Sequence, residues 1–180
     1  MITYHRVKTN EELEEILELQ KQNLGENLGE EEKLKEGFVS LKHSFEVLKK
    51  MNDACRHCVA KKEGKVVGFV LSMLQSFRNN VPLLIPMFKE IDNAISETNL
   101  SLNYIVMGQV CIDKNVRGKG VFRGLYNYMA TEMKGQFDTI ITEVDTKNIR
   151  SSNAHKSVGF KLLKKYVSNK QLWEIIILKI

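Results

Sequence analysis

Residues 117–124 have the composition of a turn that binds an anion, and they read Arg117-Gly118-Lys119-Gly120-Val121-Phe122-Arg123-Gly124. An apolar run ending Val110-Cys111-Ile112 precedes them, and apolar residues at steps of three and four follow, which predicts a strand, a glycine-rich turn and an amphipathic helix. The first N–H groups of a helix lack partners within it and lie at the positive end of its dipole. Because Gly118 and Gly120 have no side chain, an anion can approach this backbone closely, and the arginine and lysine side chains add positive charge. The pattern predicts phosphate binding.

Two common phosphate motifs do not match this turn. A P-loop would need Gly-Lys followed by Ser or Thr at a fixed spacing. A dinucleotide fingerprint, Gly-x-Gly-x-x-Gly, would need glycine at Arg123 rather than at Gly124. Taken alone, the turn is therefore also compatible with a plain connection between strand and helix.

A second group of polar residues follows downstream. The β-branched residues of Thr139-Ile140-Ile141-Thr142-Glu143-Val144 predict a strand that carries one carboxylate, Glu143. The chain then reads Asn148-Ile149-Arg150-Ser151-Ser152-Asn153-Ala154-His155-Lys156-Ser157-Val158-Gly159-Phe160. Strand, asparagine, helix and Gly-Phe thus follow one another behind the glycine-rich turn.

Together the two motifs resemble those of the GNAT superfamily of acyl-CoA-dependent N-acetyltransferases. The family's pyrophosphate motif, Arg/Gln-x-x-Gly-x-Gly/Ala, often begins Arg-Gly-x-Gly, as residues 117–120 do. The chain departs from it with Phe122 at the final small position, and the helical pattern predicts that this side chain points into the core. The family's second motif has Asn, a small residue three on, often Tyr seven on, and Gly-Phe eleven and twelve on. The residues at these places are Asn148, Ser151, His155, Gly159 and Phe160.

This resemblance, which covers about residues 104 to 160, implies the fold. We expect residues 1–180 to form a single N-acetyltransferase (GNAT) domain of the α/β class. Its mixed, mostly antiparallel central sheet is expected to have about six to seven strands flanked by helices. The fourth and fifth strands are expected to splay apart around coenzyme A.

The resemblance also implies an activity and a co-substrate. The expected reaction is direct transfer of an acetyl group from acetyl-CoA to a primary amine of a small molecule or peptide. The pantetheine arm would pair with the main chain of the fourth strand and with Asn148, and the amides from Gly118 to Arg123 would hold the pyrophosphate. The predicted cofactor-binding residues are Val110, Cys111, Ile112, Arg117, Gly118, Lys119, Gly120, Val121, Phe122, Arg123, Asn148 and Ser151.

Two side chains are candidates for proton transfer. Some family members place a glutamate base and a tyrosine acid twelve residues apart, which is the separation of Glu143 and His155. A carboxylate facing a partly apolar cleft has a raised pKa, so Glu143 is the predicted base. An imidazole near its ordinary pKa of about 6.5 can donate a proton to a thiolate, so His155 is the predicted acid, although it could equally bind the cofactor sulfur or fill space. Tyr126 and Tyr128 are alternative hydroxyl donors.

Charge distribution bears on the partners. The net charge is +5, but ten glutamates and three lysines between residues 10 and 36 give that segment −7, so the remainder carries +12. An acidic front and a basic middle suit an anionic cofactor beside a cationic amine acceptor, although ordinary solvated helix faces would look the same. The chain has no aromatic-rich motif for nucleic acid, and we expect no nucleic-acid partner.

Cysteines and hydropathy suggest further limits. The chain has three cysteines, two of them in Cys55-Arg56-His57-Cys58, and no second cluster that would complete a zinc site, so we expect no metal. The remaining histidines, His5, His43 and His57, have no convincing partners in the sequence. No run approaches the ~20 apolar residues of a membrane span, and the N-terminus lacks an apolar signal core, so we expect a cytoplasmic protein. Dimers are common in the family.

The elements that must position these residues can be read from hydrophobic periodicity. Strands are predicted at residues 2–7, 57–62, 66–74, 104–112, 139–144, 161–167 and 172–178. Helices are predicted at residues 10–22, 39–51 and 87–95 and from Phe122 onward. Prolines break residues 75–100, which we expect to form an insertion between the third and fourth strands, or a lid.

Two other functions fit part of the pattern. A non-catalytic module that binds coenzyme A for sensing or assembly would explain Phe122 and His155 at places where the family has a small residue and a tyrosine. A nucleic-acid binder would use the basic residues of the turn and would show salt-sensitive affinity. The acceptor amine itself cannot be read from the motifs.

Overall fold

The computed structural model describes residues 1–25, 29, 31, 38, 39, 41–98 and 101–180. Its strands are β1 (Ile2–Arg6), β2 (Cys58–Lys62), β3 (Lys65–Met73), β4 (Tyr104–Ile112), β5 (Thr139–Asp145), β6 (Lys161–Ser168) and β7 (Gln171–Lys179). Its helices are α1 (Asn10–Gln22), α2 (Phe45–Ala54), α3 (Ile85–Thr98), α4 (Val121–Met133) and α5 (Ile149–Ser157). Short 3-10 turns lie at Gln75–Phe77, Pro82–Leu84 and Lys114–Val116.

The strands form one sheet in the order β1-β2-β3-β4-β5-β7-β6, in which only β4 and β5 run parallel. These two strands pair over three residues each, from Tyr104↔Thr139 to Val106↔Ile141. Beyond that point β4 stays paired with β3 and β5 stays paired with β7, so the two strands separate. The predicted α/β fold, with a mostly antiparallel sheet of about six to seven strands splayed between its fourth and fifth, is confirmed, and the sheet has seven strands.

Helices cover both faces of the sheet because its strands are apolar on both sides. Successive residues of a strand point to opposite faces. On β3, Val70 packs with the apolar side of α4, whereas Phe69 and Leu71 pack with α1. A third cluster, around Phe88 and Ile91 of α3, covers the β5–β7 half of the sheet. The opening between β4 and β5 is therefore held between well-packed layers.

The second helix begins later than predicted. The sequence pattern placed it at residues 39–51, but α2 spans Phe45–Ala54, with the Ser44 hydroxyl accepting a hydrogen bond from Val47 N at 3.3 Å. Tertiary contacts hold the preceding residues in another conformation: His43 N donates to Gln20 Oε1 at 3.0 Å, and Val39 forms a β-bridge with Leu24. The first helix agrees with its prediction and has a capping box between Thr9 and Glu12.

The insertion between β3 and β4 belongs to the core. Helix α3 extends the helical spacing predicted for residues 87–95, and Met87, Phe88 and Ile91 are buried. Residues 99 and 100 lie outside the described part. The hairpins at Glu63-Gly64 and Asn169-Lys170 turn through two residues with positive φ, as the shortest β-hairpin loops do. The second of these joins the predicted closing pair, β6 and β7.

Candidate functional site

The glycine-rich turn has a conformation that requires its two glycines. Gly118 and Gly120 have φ values of 73° and 78°, in the left-handed region that side chains disfavour. Gly120 is the N-cap of α4, so the unpaired N–H groups of that helix begin beside it. A Cβ at either glycine would meet no atom within 4 Å, so the space next to the backbone is open. The turn therefore has the exposed amides that an anion needs.

The basic residues of the turn also hold it in place. Arg117 Nε donates to Ile112 O at 3.0 Å and its Nη2 donates to Asn23 Oδ1 at 2.6 Å, which fastens the turn to β4 and to the end of α1. Arg123 Nη2 donates to Ser157 O at 3.0 Å and so joins α4 to α5. Lys119 Nζ donates to Asn115 O at 2.9 Å within the turn.

A cavity of about 330 Å³, called here the first cavity, opens beside this turn. Its charged lining consists of Arg117, Arg123 and Arg150, and no carboxylate lines it in the part of the chain that the structure describes. The predicted residues that line it are Val110, Cys111, Ile112, Arg117, Gly118, Gly120, Val121, Phe122, Arg123, Asn148 and Ser151, whereas Lys119 does not. Arg150 was missed by the sequence analysis, although it lies in the same motif, two residues after Asn148.

The main chain of β4 faces the first cavity with alternate residues. Asp113 N donates to Val67 O on the β3 side at 2.9 Å, and the register pairs Cys111 with Phe69. Since main-chain groups alternate between the two edges of a strand, Cys111 also directs its N–H and C=O to β3, and Val110 and Ile112 direct theirs to the splayed side. The Cys111 side chain is buried, and burial raises the pKa of its thiol to about 12.

Asn148 connects two segments at the mouth of the opening. It is the N-cap of α5, where its Oδ1 accepts from Ser151 N at 3.2 Å. Its Nδ2 donates to Phe38 O at 3.0 Å. The predicted cofactor-binding residues Asn148 and Ser151 are thus part of one helix start, and both border the opening between β4 and β5.

Glu143 lies inside the opening on β5 and has a hydroxyl partner. The Tyr166 hydroxyl of β6 donates to Glu143 Oε2. Burial raises the pKa of Glu143 to about 7, while the hydrogen bond from Tyr166 acts in the opposite direction. The raised pKa agrees with the expectation from the sequence and places the carboxyl at the protonation midpoint near neutrality.

A second cavity, of about 250 Å³, surrounds Glu143 on the far side of the opening. Its charged lining consists of Glu143 and Asp145, and neither lysine nor arginine lines it among the described residues. Residues of α3, β6 and β7 contribute to it, including Met87, Tyr166 and Trp173. The glutamates of α1, which suggested a cationic acceptor, line neither cavity, and most of residues 26–36 lies outside the described part.

His155 is buried and has both ring nitrogens engaged. Its Nδ1 lies 2.8 Å from Ser151 O, and a carbonyl can only accept, so Nδ1 carries the proton of the neutral ring. Nε2 therefore accepts from the Tyr126 hydroxyl, at 2.7 Å. Burial lowers the pKa of His155 to about 4. The expectation of an imidazole near its ordinary pKa was wrong, because the side chain is only 1% exposed.

Phe122 and His155, the two residues that depart from the family motif, pack together in one aromatic cluster. The ring of Phe122 packs against Tyr126 and His155 with centroids 5.0 and 5.1 Å apart, so it joins the core as the helical pattern predicted. Phe160, of the Gly-Phe pair, packs against the same two rings, with both centroids at 5.1 Å. Gly159 provides the positive φ, 107°, that ends α5 before it.

The other histidines have partners that the sequence did not reveal. His57 Nε2 donates to Leu48 O and its Nδ1 accepts from Ser72 N, both at 3.1 Å, which gives it a structural role. His43 contacts Gln20, and His5 contacts Glu12.

Cys55 and Cys58 are thiols, the second at the start of β2. Within the described ranges, no three His, Cys, Asp or Glu residues come together as a metal-binding group, and no helix is long and apolar enough to cross a membrane.

Comparison with known proteins gave one family and many similar folds. A model of the acetyltransferase (GNAT) family matches residues 12–160. The ribosomal-protein-S18-alanine N-acetyltransferase of Escherichia coli is 14% identical, with a TM-score of 0.64, over 100% of this chain and 94% of its own. Ard1 of Thermoplasma volcanium is 12% identical, with a TM-score of 0.68, over 99% and 97%. YncA of Salmonella typhimurium, solved with its cofactor acetyl-CoA, is 13% identical, with a TM-score of 0.64, over 99% and 93%. A search of curated proteins by sequence returned no match.

Proposed function

Because this chain belongs to the acetyltransferase (GNAT) family, whose enzymes use acetyl-CoA, we propose that it moves an acetyl group directly to a primary amine of a small molecule or peptide. The observation that carries the proposal is the separation of β4 from β5 beyond Val106↔Ile141. It gives one opening with an anion-binding turn at one end and a carboxyl of raised pKa, Glu143, at the other. Acetyl-CoA, when bound, supplies the thioester whose acetyl group is transferred.

The residues of the first cavity fit this co-substrate. The amides at the start of α4, between Gly118 and Arg123, are suited to a pyrophosphate, because the left-handed glycines leave open space beside the backbone. Arg117 and Arg123 fix the turn through their contacts, and the arginines of the lining supply positive charge. Val110 and Ile112 can present main-chain groups to the pantetheine arm.

Glu143 is the proposed base. An amine attacks only after it loses its ammonium proton, and a carboxylate with a pKa of about 7 can accept that proton near neutral pH. The Tyr166 hydroxyl holds Glu143 Oε2 and stabilises its charged form. Tyr166 was missed by the sequence analysis because no local pattern shows that its side chain reaches β5 across the intervening strand β7.

His155 is proposed as a positioning residue rather than as the acid predicted from the motif. A proton donor to a thiolate would need an N–H directed at the cavity, and the N–H of the neutral ring is donated to Ser151 O. Through this bond and the contact from Tyr126, His155 fixes the first turn of α5, where Asn148 and Ser151 border the opening. Its low pKa keeps the ring neutral at the pH of the reaction.

The test is release of coenzyme A thiol from acetyl-CoA in the presence of a panel of amines. We expect turnover with at least one amine, and a loss of about 10²–10⁴-fold in kcat/KM for Glu143→Gln, the range for a general base. Glu97→Gln is the matched control, since that carboxylate pairs with Lys164 outside both cavities. Tight binding of acetyl-CoA without turnover on any amine would favour a non-catalytic module, and full activity of Glu143→Gln would remove the proposed base.

A further inference from the structure

The second cavity has walls of different chemistry. One wall is β5, with the carboxyls of Glu143 and Asp145. Facing residues from the segment before α3, from α3 itself and from the chain after α1 are apolar: Leu41, Leu83, Leu84 and Met87. Polar lining residues also come from the other strands of the sheet, from the turn between β6 and β7 and from α5, among them Gln109, Ser168, Asn169 and Gln171. Every described lining residue from the chain before β2 and from the segment at α3 is apolar. A ligand that fills this cavity is therefore expected to place its polar end towards the sheet and its carbon towards these apolar residues.

Of the two carboxyls, one is already occupied by the protein. Asp145 is only 4% exposed, and its Oδ1 accepts from Lys147 N at 2.8 Å while Oδ2 accepts from Gln171 Nε2. Glu143 has one hydroxyl partner, Tyr166, on one of its oxygens. Among the described lining residues, Glu143 therefore offers the carboxyl that can partner an ammonium group.

A second charge at the far end of the ligand would lie beside Leu41, Leu83, Leu84 and Met87, with no oppositely charged partner there among the described lining residues. Burying an ammonium or a carboxylate without a partner is unfavourable, whereas burying methylene groups is favourable. The volume of about 250 Å³ lies below the range of roughly 300–1,000 Å³ typical of sites for drug-sized ligands. Long polyamines and amino sugars are therefore disfavoured as ligands of this cavity.

We propose that the acceptor is a small primary amine with a single positive charge and an apolar carbon skeleton, which packs against Leu41, Leu83 and Leu84 while its amine meets Glu143. This inference rests on the proposed function and names the class of its acceptor. It narrows the broader expectation of a cationic amine, and the glutamates of α1 that contributed to that expectation line neither cavity.

Three amines of equal carbon length test the inference. Hexylamine has one amine, diaminohexane has a second at the far end, and aminohexanoate has a carboxylate there. We expect kcat/KM for hexylamine to exceed that for each of the other two by about tenfold or more, the effect of about 1.4 kcal/mol. Diaminohexane reacting as fast as hexylamine would overturn the inference, and so would aminohexanoate or a peptide beginning with Leu reacting faster.

Charged variants of Leu83 test whether the carbon chain of the amine extends towards that residue. Leu83 is 63% exposed, so charge is tolerated there without unfolding. We expect Leu83→Glu to raise the rate for diaminohexane relative to hexylamine, and Leu83→Lys to lower it. Leu162→Glu is the control, because Leu162 is 53% exposed and lines neither cavity. A ratio that is unchanged in both Leu83 variants would overturn the placement.

The outcomes separate this inference from the proposed function. Thiol release with any of the amines supports acetyl transfer, and only the order of their rates bears on the class of acceptor. If no amine reacts while acetyl-CoA binds, both the proposed function and the inference fail. If only polar or doubly charged amines react, the inference alone fails.

Discussion

The two cavities lie on either side of one opening and have opposite chemistry. The first is lined by three arginines and main-chain amides, and the second by two carboxyls and an apolar wall, with no cation among the described lining residues. An anionic ligand and a cationic ligand are thus attracted to different ends of the same gap between β4 and β5. Charge alone can therefore orient two ligands towards each other before any specific contact forms.

The two cavities also differ in what maintains them. In the first, the glycine conformations of the turn create the binding groups, so backbone geometry matters more than side-chain identity. In the second, the binding groups are side chains held by other side chains, as Tyr166 holds Glu143 and Gln171 holds Asp145. Substitutions should therefore separate the two cavities by effect.

The largest expected effect concerns the stability of the second cavity. Glu143 has a higher pKa folded, about 7, than its ordinary value of 4.5, so the folded state binds more protons and loses stability as pH rises from 4.5 to about 7. Glutamine does not ionise, so Glu143→Gln removes this loss of folding stability. We expect the variant to be more stable than the wild type by about 3 kcal/mol near pH 8 and by little near pH 4. Urea unfolding at both pH values measures the difference.

An equal stability difference at both pH values would show that Glu143 is not buried as described. The same variant should bind acetyl-CoA with unchanged affinity, because Glu143 does not line the first cavity. A weaker affinity of Glu143→Gln for acetyl-CoA would show that the two cavities do not act independently.

In the first cavity, a charge placed on the turn should abolish cofactor binding. Gly120→Glu adds a carboxylate beside the proposed pyrophosphate site, and like charges in contact cost several kcal/mol. We expect the affinity for acetyl-CoA, measured by calorimetric titration, to fall about 100-fold or more. The matched control is Gly135→Glu, because Gly135 has a φ of 89°, is as open as Gly120 and lines neither cavity.

Equal losses of affinity in these two variants would indicate that backbone strain, rather than position, is responsible. Unchanged affinity in Gly120→Glu would move the cofactor away from the turn.

A smaller effect is expected at His155, whose contacts support the start of α5. His155→Phe leaves the Tyr126 hydroxyl buried without an acceptor, which costs about 1–3 kcal/mol. Adding Tyr126→Phe should recover part of that loss, since the unsatisfied hydroxyl is then removed. Unfolding free energies of the single and double variants measure this coupling. A loss in kcat as large as that of Glu143→Gln, with stability unchanged, would restore His155 as a proton donor.

The smallest effect is expected at Tyr166. Its hydrogen bond lowers the pKa of Glu143, so Tyr166→Phe should raise that pKa further. The rising limb of kcat/KM with pH, which follows ionisation of the base, should then move to more alkaline pH. Tyr128→Phe is the control, because Tyr128 lines neither cavity. A limb that stays in place would mean that a group other than Glu143 is the base.

The first cavity could largely be predicted from the sequence, because its parts are local. The strand, the turn and the helix from Val110 to Arg123 follow one another in the chain, and the glycines mark the turn. Asn148 likewise precedes the helix that it caps. Side-chain contacts such as Arg117 to Asn23 were not predictable, since they join residues far apart in the chain.

The second cavity could not be predicted in the same way. Glu143 was predicted from the sequence of its own strand. Its partner Tyr166 lies on β6, two strands away in the sheet, and its side chain reaches Glu143 across β7. The apolar wall depends on how α3 packs, and the hydrophobic spacing of Met87 predicts a helix without indicating what it covers. The low pKa of His155 depends on complete burial, which a single sequence pattern does not reveal.

Of the residues that the structure describes, five line both cavities: Phe38, Val39, Val110, Asn148 and Ser151. A ligand in one cavity that shifts this common boundary changes the affinity of the other, and thermodynamic linkage requires the two changes to be equal. Under the proposed function, binding of the acceptor and of acetyl-CoA is then a coupled equilibrium. A dissociation constant measured for either ligand alone describes a different species from the ternary complex in which transfer occurs.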